Sequence, residues 1–543
     1  MLTKSQGRNK SWEEKYPFIK PASSFSDGNR DYDYIIVGGG AAGCPLAATL
    51  SQNFRVLLLE RGDVQFDNVN VSYFNNFVKN LRDTSPKSAS QPFVSTDGVA
   101  NIRAKALGGG TCINAGFYSR ASPRFIREAY WDAKLAYESY TWIEKQIVYQ
   151  PNIKRFQMAF LNSLLEAGVL PFNGITYDHL NGTKISGTIF DEFNRRHTAA
   201  NLLASANAKN LEVLIHATVK KLVITKKGKK VIVTGVEFED EDHNQHHAIL
   251  SNGTKSEIIL SSGTIGSPQI LLLSGIGPRE DLLKLNISMV LDNEFVGKNM
   301  FDCSTNVAFL PIQGTVGIYP PQVVGIAKEG VYLEALGGLR VQGQVIRFNR
   351  EHDSTKRMLT RINTKNEVKK DSYNKSNGRS YIFSTVSKPI SRGQMNLTSN
   401  SVHDQPLVTF NYYSCKEDLS ICVSGLRLLR KLVRSKSFMN FTNNNHHKEA
   451  MGQCQLDGKD DYESLELLCK NTLRTFYHYH GGCNVGRVVN NEYKVYGVDR
   501  LRVIDGSIFN ESPGTNPQAT IMMIGRYMGV KILTDRIGTE DGM

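Results

Sequence analysis

The sequence predicts an α/β (α+β) fold in two parts: a domain of alternating strands and helices built from separate stretches of the chain, and a second domain with a mixed or antiparallel sheet and helices. Three observations lead to this prediction. A strand–helix–strand pattern lies near the N-terminus, and further strand–helix pairs follow residue 257 and close the C-terminus. The chain has 543 residues, which is too many for one ordinary core and indicates two or three domains.

The first strand–helix–strand unit lies within Asp33–Gly62. The apolar run Tyr34–Val37 predicts a buried strand, Pro45–Leu50 predicts a helix, and Arg55–Leu59 predicts a second strand. The turn after the first strand fits G-x-G-x-x-G, and an acid ends the second strand. This combination is typical of a Rossmann-like dinucleotide site.

Each position of that turn has a physical role. Gly38 permits the tight turn, Gly40 lets a pyrophosphate approach the backbone, and Gly43 allows the helix to pack against the strand. The helix N-terminus offers free N–H groups to phosphates, and Glu60 can accept hydrogen bonds from a ribose. The alternative is a glycine-rich turn of another α/β fold, and the stretch alone does not distinguish NAD from FAD.

Later elements follow from the same patterns. Leu211–Thr225 and Val231–Glu239 alternate in polarity and predict a hairpin with its turn at Lys227–Lys229. The remaining predicted elements are a strand at Glu257–Ser261, a helix within Gly263–Gly275, a strand at Leu501–Asp505 and a helix at Pro517–Asp535. The charge-rich segment Arg347–Arg379 is expected to be mobile and exposed to solvent.

Composition excludes several classes of protein. The net charge is +13, but the sequence has no basic cluster interleaved with aromatic residues, which is the pattern that would indicate nucleic-acid binding. No apolar run approaches the roughly 18 residues of a transmembrane helix, and the polar first 30 residues carry no secretory signal.

Sequons and cysteines bear on the compartment. N-x-S/T sequons point towards the secretory pathway, among them those at Asn70, Asn181, Asn252, Asn286, Asn374, Asn396, Asn440 and Asn510. The eight cysteines contain no C-x-x-C pair, so the sequence is compatible with two disulfides, one or none.

Four motifs occur together in the order found in one family. They are GGGAAGC at 38–44, LGGGTCINAG at 107–116, GTIGSPQILLLSGIG at 263–277, and the C-terminal pair HYHGGCNVG at 478–486 with DGSIFNESPGTNPQATIMMIGRYMG at 505–529. The chain resembles the glucose–methanol–choline (GMC) oxidoreductases over roughly residues 30–535, in particular their plant HOTHEAD-like and hydroxynitrile lyase-like branch.

The resemblance implies FAD as cofactor and divides the chain into segments. The segments are a flexible N-terminal arm (1–31), three parts of the FAD-binding domain (32–130, 194–299 and 476–543), a connecting or substrate-covering segment (131–193) and a substrate-binding domain (300–475).

The resemblance also implies which residues contact the cofactor. At the adenosine-phosphate end these are Gly38, Gly40, Ala41, Ala42, Gly43, Glu60 and Arg61, with Val219 at the adenine. At the flavin end they are Thr111, Asn114, Ala115, Gly116, Phe117, Tyr477, Asp505, Gly506, Pro517 and Gln518. Taken one at a time, the glycines and other small residues among them are equally compatible with tight packing.

His478 and Asn516 are the candidate catalytic residues. Alcohol oxidation removes a hydride from carbon and a proton from oxygen; a flavin accepts the hydride, and a neutral imidazole accepts the proton. An Asn amide can orient the hydroxyl and stabilise the developing alkoxide without titrating. A structural role is the alternative for His478. His480 could lie behind His478 and orient it, or it could be a buried histidine with its own hydrogen bonds, which is the role that we favour. His478, His480 and Cys483 match zinc-ligand spacing poorly, so no metal site is predicted.

The leading hypothesis is FAD-dependent oxidation of a primary alcohol, with a long-chain ω-hydroxy fatty acid as the best guess and an electron acceptor that the sequence does not identify. The alternative is a hydroxynitrile (mandelonitrile) lyase. Such lyases carry His at the position of Asn516, Tyr at that of Phe476 and Cys near that of Glu334, which weakens this alternative. A third hypothesis is a non-enzymatic descendant that retains the flavin.

The resemblance implies a disulfide between Cys422 and Cys469, although both could be reduced in a cytosolic chain. We expect an extracellular or endomembrane location and a monomer.

Overall fold

The computed structural model describes residues 11–28, 31–253, 255–311, 317–339, 379–442 and 458–538. Apart from Arg379, the charge-rich segment Arg347–Arg379 lies outside the described residues.

A six-stranded parallel sheet forms the centre of the first domain. Its strands lie in the order Ile19–Pro21, Leu211–Ile215, Val56–Leu59, Tyr34–Val37, Glu257–Leu260 and Leu501–Val503. The strands Tyr34–Val37 and Val56–Leu59 are buried at every residue, which explains why their sequences are continuous apolar runs rather than alternating ones. The discontinuous assembly predicted from the sequence is confirmed.

Two helices lie close together against this sheet. The helix Gly43–Leu50 follows the glycine-rich turn, and Gln518–Ile537 packs across it. A β-carbon at Gly525 would lie 2.2 Å from the carbonyl oxygen of Ala42, so only glycine allows this approach. The C-terminal helix is thereby held against the turn that opens the first helix.

A seven-stranded, mainly antiparallel sheet forms the second domain. Its order is Arg474–Thr475, Ser304–Pro311, Arg379–Val386, Val331–Leu339, Val323–Ile326, Gly182–Ile185 and Phe172–Ile175. The helices Arg155–Glu166 and Lys416–Val433 contact this sheet, and side chains from both join a hydrophobic core separate from that of the first domain. The predicted mixed or antiparallel sheet is confirmed.

A third sheet has four strands, Thr218–Lys227, Lys230–Glu239, Gln245–Ile249 and Val498–Asp499. The first two form the predicted hairpin. Smaller sheets pair Ser90–Val94 with Ala100–Ala104, Phe117–Tyr118 with Gly187–Thr188, Ile276–Gly277 with Leu291–Asp292, and Gly393–Asn396 with Lys298–Met300 and Leu407–Thr409.

The other α-helices are Trp12–Lys15, Val69–Ser72, Phe77–Arg82, Pro123–Glu128, Ala133–Ile147, Gly263–Leu273, Arg279–Lys284, Lys436–Thr442 and Tyr462–Asn471. A disulfide joins Cys422 and Cys469, as the resemblance implied. Within the described ranges, none of the helices combines the length and apolar character that a membrane crossing needs.

Three expectations need correction. Leu211–Thr225 is not one strand, because His216 adopts a left-handed φ of 59° and divides it between two sheets. Residues 11–28 of the predicted flexible arm are folded, since Ile19–Pro21 pairs with Val213–Ile215. The segment 131–193 does more than connect, because it contributes two strands to the second sheet. The other domain limits stay a prediction.

Candidate active site

The glycine-rich turn leaves an open surface where a pyrophosphate can approach. A β-carbon at Gly38 would lie 2.4 Å from the carbonyl oxygen of Ser261, and one at Gly43 would lie 2.0 Å from the carbonyl oxygen of Gly38, so both positions require glycine. At Gly40 the nearest atoms to an added β-carbon are 3.9 Å away. Gly40 therefore borders open space in front of the helix N-terminus, which fits a phosphate group.

Glu60 closes the adenosine end of this turn. Its carboxylate accepts hydrogen bonds from the backbone N–H of Gly39 at 2.9 Å and of Gly62 at 2.8 Å. Burial raises the pKa of Glu60, and these two bonds oppose the shift. Each oxygen accepts one of these bonds, and the remaining lone pairs can accept ribose hydroxyls.

The second glycine cluster packs directly onto the first. The N–H of Gly108 donates to the carbonyl of Gly39 at 2.7 Å. Gly109 has a φ of 56°, and a β-carbon there would lie 2.7 Å from Cα of Gly40. The two motifs, distant in sequence, thus form one cradle of exposed backbone.

A buried arginine holds the segment that follows the second glycine cluster. Arg196 donates to the carbonyl of Thr111 and to Oδ1 of Asn114, both at 3.0 Å. Asn114 also accepts from the N–H of Gly116 and donates to Oε1 of Gln518 at 2.8 Å. Burial lowers the pKa of Arg196 to about 9. The sequence analysis missed Arg196, because nothing local distinguishes it from an exposed arginine in a loop.

Asp505 supports a helix with its side chain. Its carboxylate accepts from the N–H groups of Gly263 at 2.9 Å and Ser507 at 2.8 Å, and from the hydroxyl of Ser267. Burial raises its pKa. These bonds fix the start of the helix Gly263–Leu273, so Asp505 has its backbone, rather than its carboxylate, to offer to a cofactor.

The other predicted cofactor residues have different surroundings. Arg61 donates to the carbonyl of Ala104 at 3.0 Å, Val219 pairs with Phe238 across the hairpin, and Phe117 is buried in a small cluster with Val324 and Tyr332. Tyr477 is 48% exposed, with a left-handed φ of 61°. Ala41, Ala42, Ala115 and Pro517 lie in the turns beside the residues already described.

His478 is positioned by a buried carboxyl group. Its backbone N–H donates to Oδ1 of Asp302 at 3.0 Å, and the other oxygen of Asp302 accepts from the hydroxyl of Tyr412. Burial raises the pKa of Asp302 to about 6. The ring of His478 meets that of Phe476 edge-on, at 4.6 Å between centroids. Burial, with a smaller effect of nearby His480, lowers the pKa of His478 to about 3.

Asn516 is held by two side chains of the strand Val331–Leu339. Tyr332 donates its hydroxyl to Oδ1 of Asn516 at 2.6 Å, and Nδ2 of Asn516 donates to Oε2 of Glu334 at 3.1 Å. These bonds fix which end of the amide is the donor. Burial raises the pKa of Glu334 to about 7, although the hydrogen bonds lower it in part.

A chain of side-chain contacts connects the two catalytic candidates. Tyr332, which contacts Asn516, lies 6.2 Å from the Phe476 ring, and Phe476 contacts His478. Glu334 also lies beside Asn516, and neither this contact nor that of Tyr332 had a signal in the sequence.

His480 lies behind this site and is fully buried. Its backbone exchanges hydrogen bonds with Phe301, and its ring lies 5.3 Å from that of Phe509. Burial lowers its pKa to about 3, opposed by the approach of the Gly506 backbone. Among the described residues neither ring nitrogen has a hydrogen-bond partner of ordinary geometry. This differs from the hydrogen-bonded histidine that we favoured.

The comparisons with known proteins agree with this geometry. The N-terminal GMC oxidoreductase family model matches residues 32–304, and the C-terminal one matches residues 389–525. The chain is 50% identical to Protein HOTHEAD of Arabidopsis thaliana, covering 100% of this chain and 97% of that protein. It is 40% identical to "Sinalpyl alcohol oxidase Nec3" of Nesocodon mauritianus (97% and 93%) and 36% identical to (R)-mandelonitrile lyase 2 of Prunus dulcis (94% and 88%).

Solved structures share the fold at low sequence identity. A formate oxidase structure matches with a TM-score of 0.76 at 18% identity, covering 94% of this chain and 99% of that one. Pyridoxine 4-oxidase from Mesorbium loti matches with a TM-score of 0.74 at 18% identity (93% and 99%).

Proposed function

The chain belongs to the GMC oxidoreductase family and is an FAD-dependent alcohol oxidoreductase, and we propose that it oxidises a primary alcohol to the aldehyde with His478 as base and Asn516 as the residue that orients the hydroxyl. The observation that carries this proposal is the chain of contacts that leads from His478 through Phe476 and Tyr332 to Asn516. FAD, when bound, supplies the hydride acceptor.

The residues around the cofactor fit FAD. The open backbone at Gly40 suits a pyrophosphate, and Glu60 suits a ribose. At the other end, the hydrogen bonds among Asn114, Gly116 and Gln518 give a rigid wall for a flavin.

His478 can act as the proton acceptor throughout the physiological range. With its pKa lowered to about 3 by burial, the imidazole is neutral near pH 7 and has a lone pair for the hydroxyl proton, although the same shift makes it a weaker base than a solvated histidine. The hydrogen bond from its backbone to Asp302 fixes where it lies. Asn516 is held at both ends of its amide by Tyr332 and Glu334, and its second Nδ2 hydrogen can stabilise a developing alkoxide.

For the substrate we propose a long-chain ω-hydroxy fatty acid. Apolar rings support this choice, because Phe476 contacts Phe383, which in turn lies against Tyr381. Where these rings border the bound substrate, they suit an alkyl chain better than a polar alcohol.

The test is anaerobic reduction of the flavin by a panel of alcohols, measured as the loss of flavin absorbance at about 450 nm. We expect ω-hydroxy fatty acids to reduce the flavin, and His478→Ala to slow this by about 10²–10⁴-fold, the usual contribution of a general base. His247→Gln, an exposed histidine on another sheet, is the control. A flavin that stays oxidised with every alcohol would contradict the proposal.

Hydroxynitrile lyase activity is the second candidate, favoured by the 36% identity to the Prunus dulcis enzyme. The carboxyl of Glu334 beside Asn516 opposes it above about pH 7, because the ionised group repels cyanide. Release of benzaldehyde from mandelonitrile above background by the wild type, absent in His478→Ala, would establish this activity instead.

We also propose a location in the secretory pathway or outside the cell. The disulfide Cys422–Cys469 supports this, as do the exposed sequons at Asn181, Asn252, Asn286 and Asn510. Peptide mapping of protein from the native tissue should find glycans at these four asparagines, and unmodified asparagine at all four would contradict the location.

A further inference from the structure

Three side chains with metal-binding atoms meet on the surface of the four-stranded sheet. Glu239 ends the strand Lys230–Glu239, His243 lies in the turn that follows, and His403 comes from a loop far along the chain. Oε1 of Glu239 lies 3.0 Å from Nδ1 of His243 and 2.7 Å from Nε2 of His403. The three ligand atoms all lie within 4.8 Å of one another.

We propose that Glu239, His243 and His403 bind a divalent transition-metal ion, with Zn²⁺ the best fit. One carboxylate oxygen and two imidazole nitrogens are the donor set that Zn²⁺ and its neighbours in the transition series accept. Zn²⁺ ligand atoms about 2.1 Å from the ion stand about 3.4 Å apart in a tetrahedron. The two contacts of Glu239 need to widen by a fraction of an ångström, and the two ring nitrogens, which lie within 4.8 Å of each other, can adjust by rotation of their exposed side chains. A fourth position remains for water.

The carboxylate is already oriented for this role. Glu239 is only 4% exposed, and its second oxygen, Oε2, lies 3.5 Å from Nε2 of Gln245 and 3.8 Å from Nζ of Lys220. These contacts occupy Oε2 and leave Oε1 directed at the two histidines. Partners of this kind, behind a metal ligand, fix its direction.

Both histidines are accessible and come from anchored turns. The side chains of His243 and His403 are 74% and 50% exposed, so an ion can enter from solvent and the rings can adjust. The turn of His243 is closed by Asp240, whose Oδ1 accepts from the N–H groups of Asp242 and Asn244. The site is therefore largely formed before an ion arrives.

The loop of His403 is tied to the first domain. Nε2 of Gln269 donates to the carbonyls of Val402 and Asp404, both at 3.2 Å. Gln269 belongs to the helix Gly263–Leu273, whose start is fixed by Asp505. A bound ion would join the tip of the sheet to this loop and so stabilise the fold rather than take part in the oxidation.

The test is calorimetric titration of the FAD-loaded protein with ZnCl₂ after treatment with EDTA. We expect one saturable site per chain, with affinity reduced at least about tenfold in both His243→Gln and His403→Gln. His247→Gln is the matched control, because this partly exposed histidine on the next strand contacts Asp27 and Glu237 instead. Flavin absorbance checks that each variant is folded.

Several outcomes would overturn the proposal. They are the absence of saturable Zn²⁺ binding in the wild type, unchanged affinity in either His243→Gln or His403→Gln, and loss of binding in His247→Gln. A second measurement distinguishes an ion that stabilises the fold from an adventitious ion. Zn²⁺ should raise the midpoint of thermal unfolding of the wild type and leave that of His403→Gln unchanged, whereas equal shifts in both proteins would again refute the site.

Discussion

At the residue scale, Glu334 is the side chain whose ionisation bears most directly on the proposed reaction. Its pKa is raised to about 7 by burial, so the carboxyl is neutral below that pH and ionised above it. A negative charge 3.1 Å from the amide of Asn516 opposes the alkoxide that Asn516 stabilises. We therefore expect kcat/KM to fall as pH rises through about 7. The pKa of His478, about 3, adds no inflection there.

Glu334→Gln tests this directly. The variant keeps a group that accepts from Asn516 but cannot ionise, so its profile between about pH 5.5 and 8.5 should be flat. Tyr332→Phe is the control, because it removes the other hydrogen bond to Asn516 while leaving the carboxyl in place. The inflection should survive in that variant and move to higher pH, because the hydroxyl of Tyr332 also lowers the pKa of Glu334. Identical pH profiles for Glu334→Gln and the wild type would show that Glu334 has no influence on the reaction.

Residues of the site differ in how far the sequence could predict them. Gly38, Gly43 and Glu60 were predictable because their spacing carries the chemistry locally. Arg196 and Tyr332 were not, since their importance arises only when distant segments meet.

At the element scale, the disulfide joins the helices Lys416–Val433 and Tyr462–Asn471. The two cysteines are 47 residues apart, and closing a loop of that length limits the freedom of the unfolded chain. Replacing both by serine should lower the free energy of unfolding by about 2–4 kcal/mol, measured by denaturant unfolding. Cys415→Ser, which changes a free cysteine directly before the helix Lys416–Val433, is the control. Equal midpoints for the double variant and the wild type would contradict the expectation.

Elements with short-range signals were predicted well, and those defined by distant partners were not. The strand Tyr34–Val37 has the predicted limits because four consecutive apolar residues suffice to identify it. Ile19–Pro21 was missed because it is three residues long, exposed at two of them and defined only by its pairing with Val213–Ile215. The predicted strand Leu211–Thr225 failed at His216, whose left-handed φ leaves no trace in the polarity pattern.

At the scale of the whole molecule, the proposed cofactor site is assembled from three stretches of chain. The turn Gly38–Gly43 with Glu60 serves one end, and Asn114–Gly116 with Gln518 serves the other. The C-terminal helix carrying Gln518 also packs on the helix that follows the turn. FAD bound as proposed would bridge these stretches, so its free energy of binding would add to the stability of the fold, by about 2.7 kcal/mol when FAD is present at a hundred times its Kd.

Removal of FAD should therefore lower the midpoint of thermal unfolding, and added FAD should restore it. ADP and FMN each occupy one end only, so each alone should restore less than FAD does, because neither connects the two ends. Glu60→Gln provides the matched variant. It removes the charge at the ribose end, so it should weaken the rescue by ADP and by FAD and leave the rescue by FMN unchanged. Full recovery with FMN alone, or equal rescue of Glu60→Gln and the wild type by ADP, would show that the stretch around Gly38–Gly43 does not hold the adenosine end as its geometry indicates.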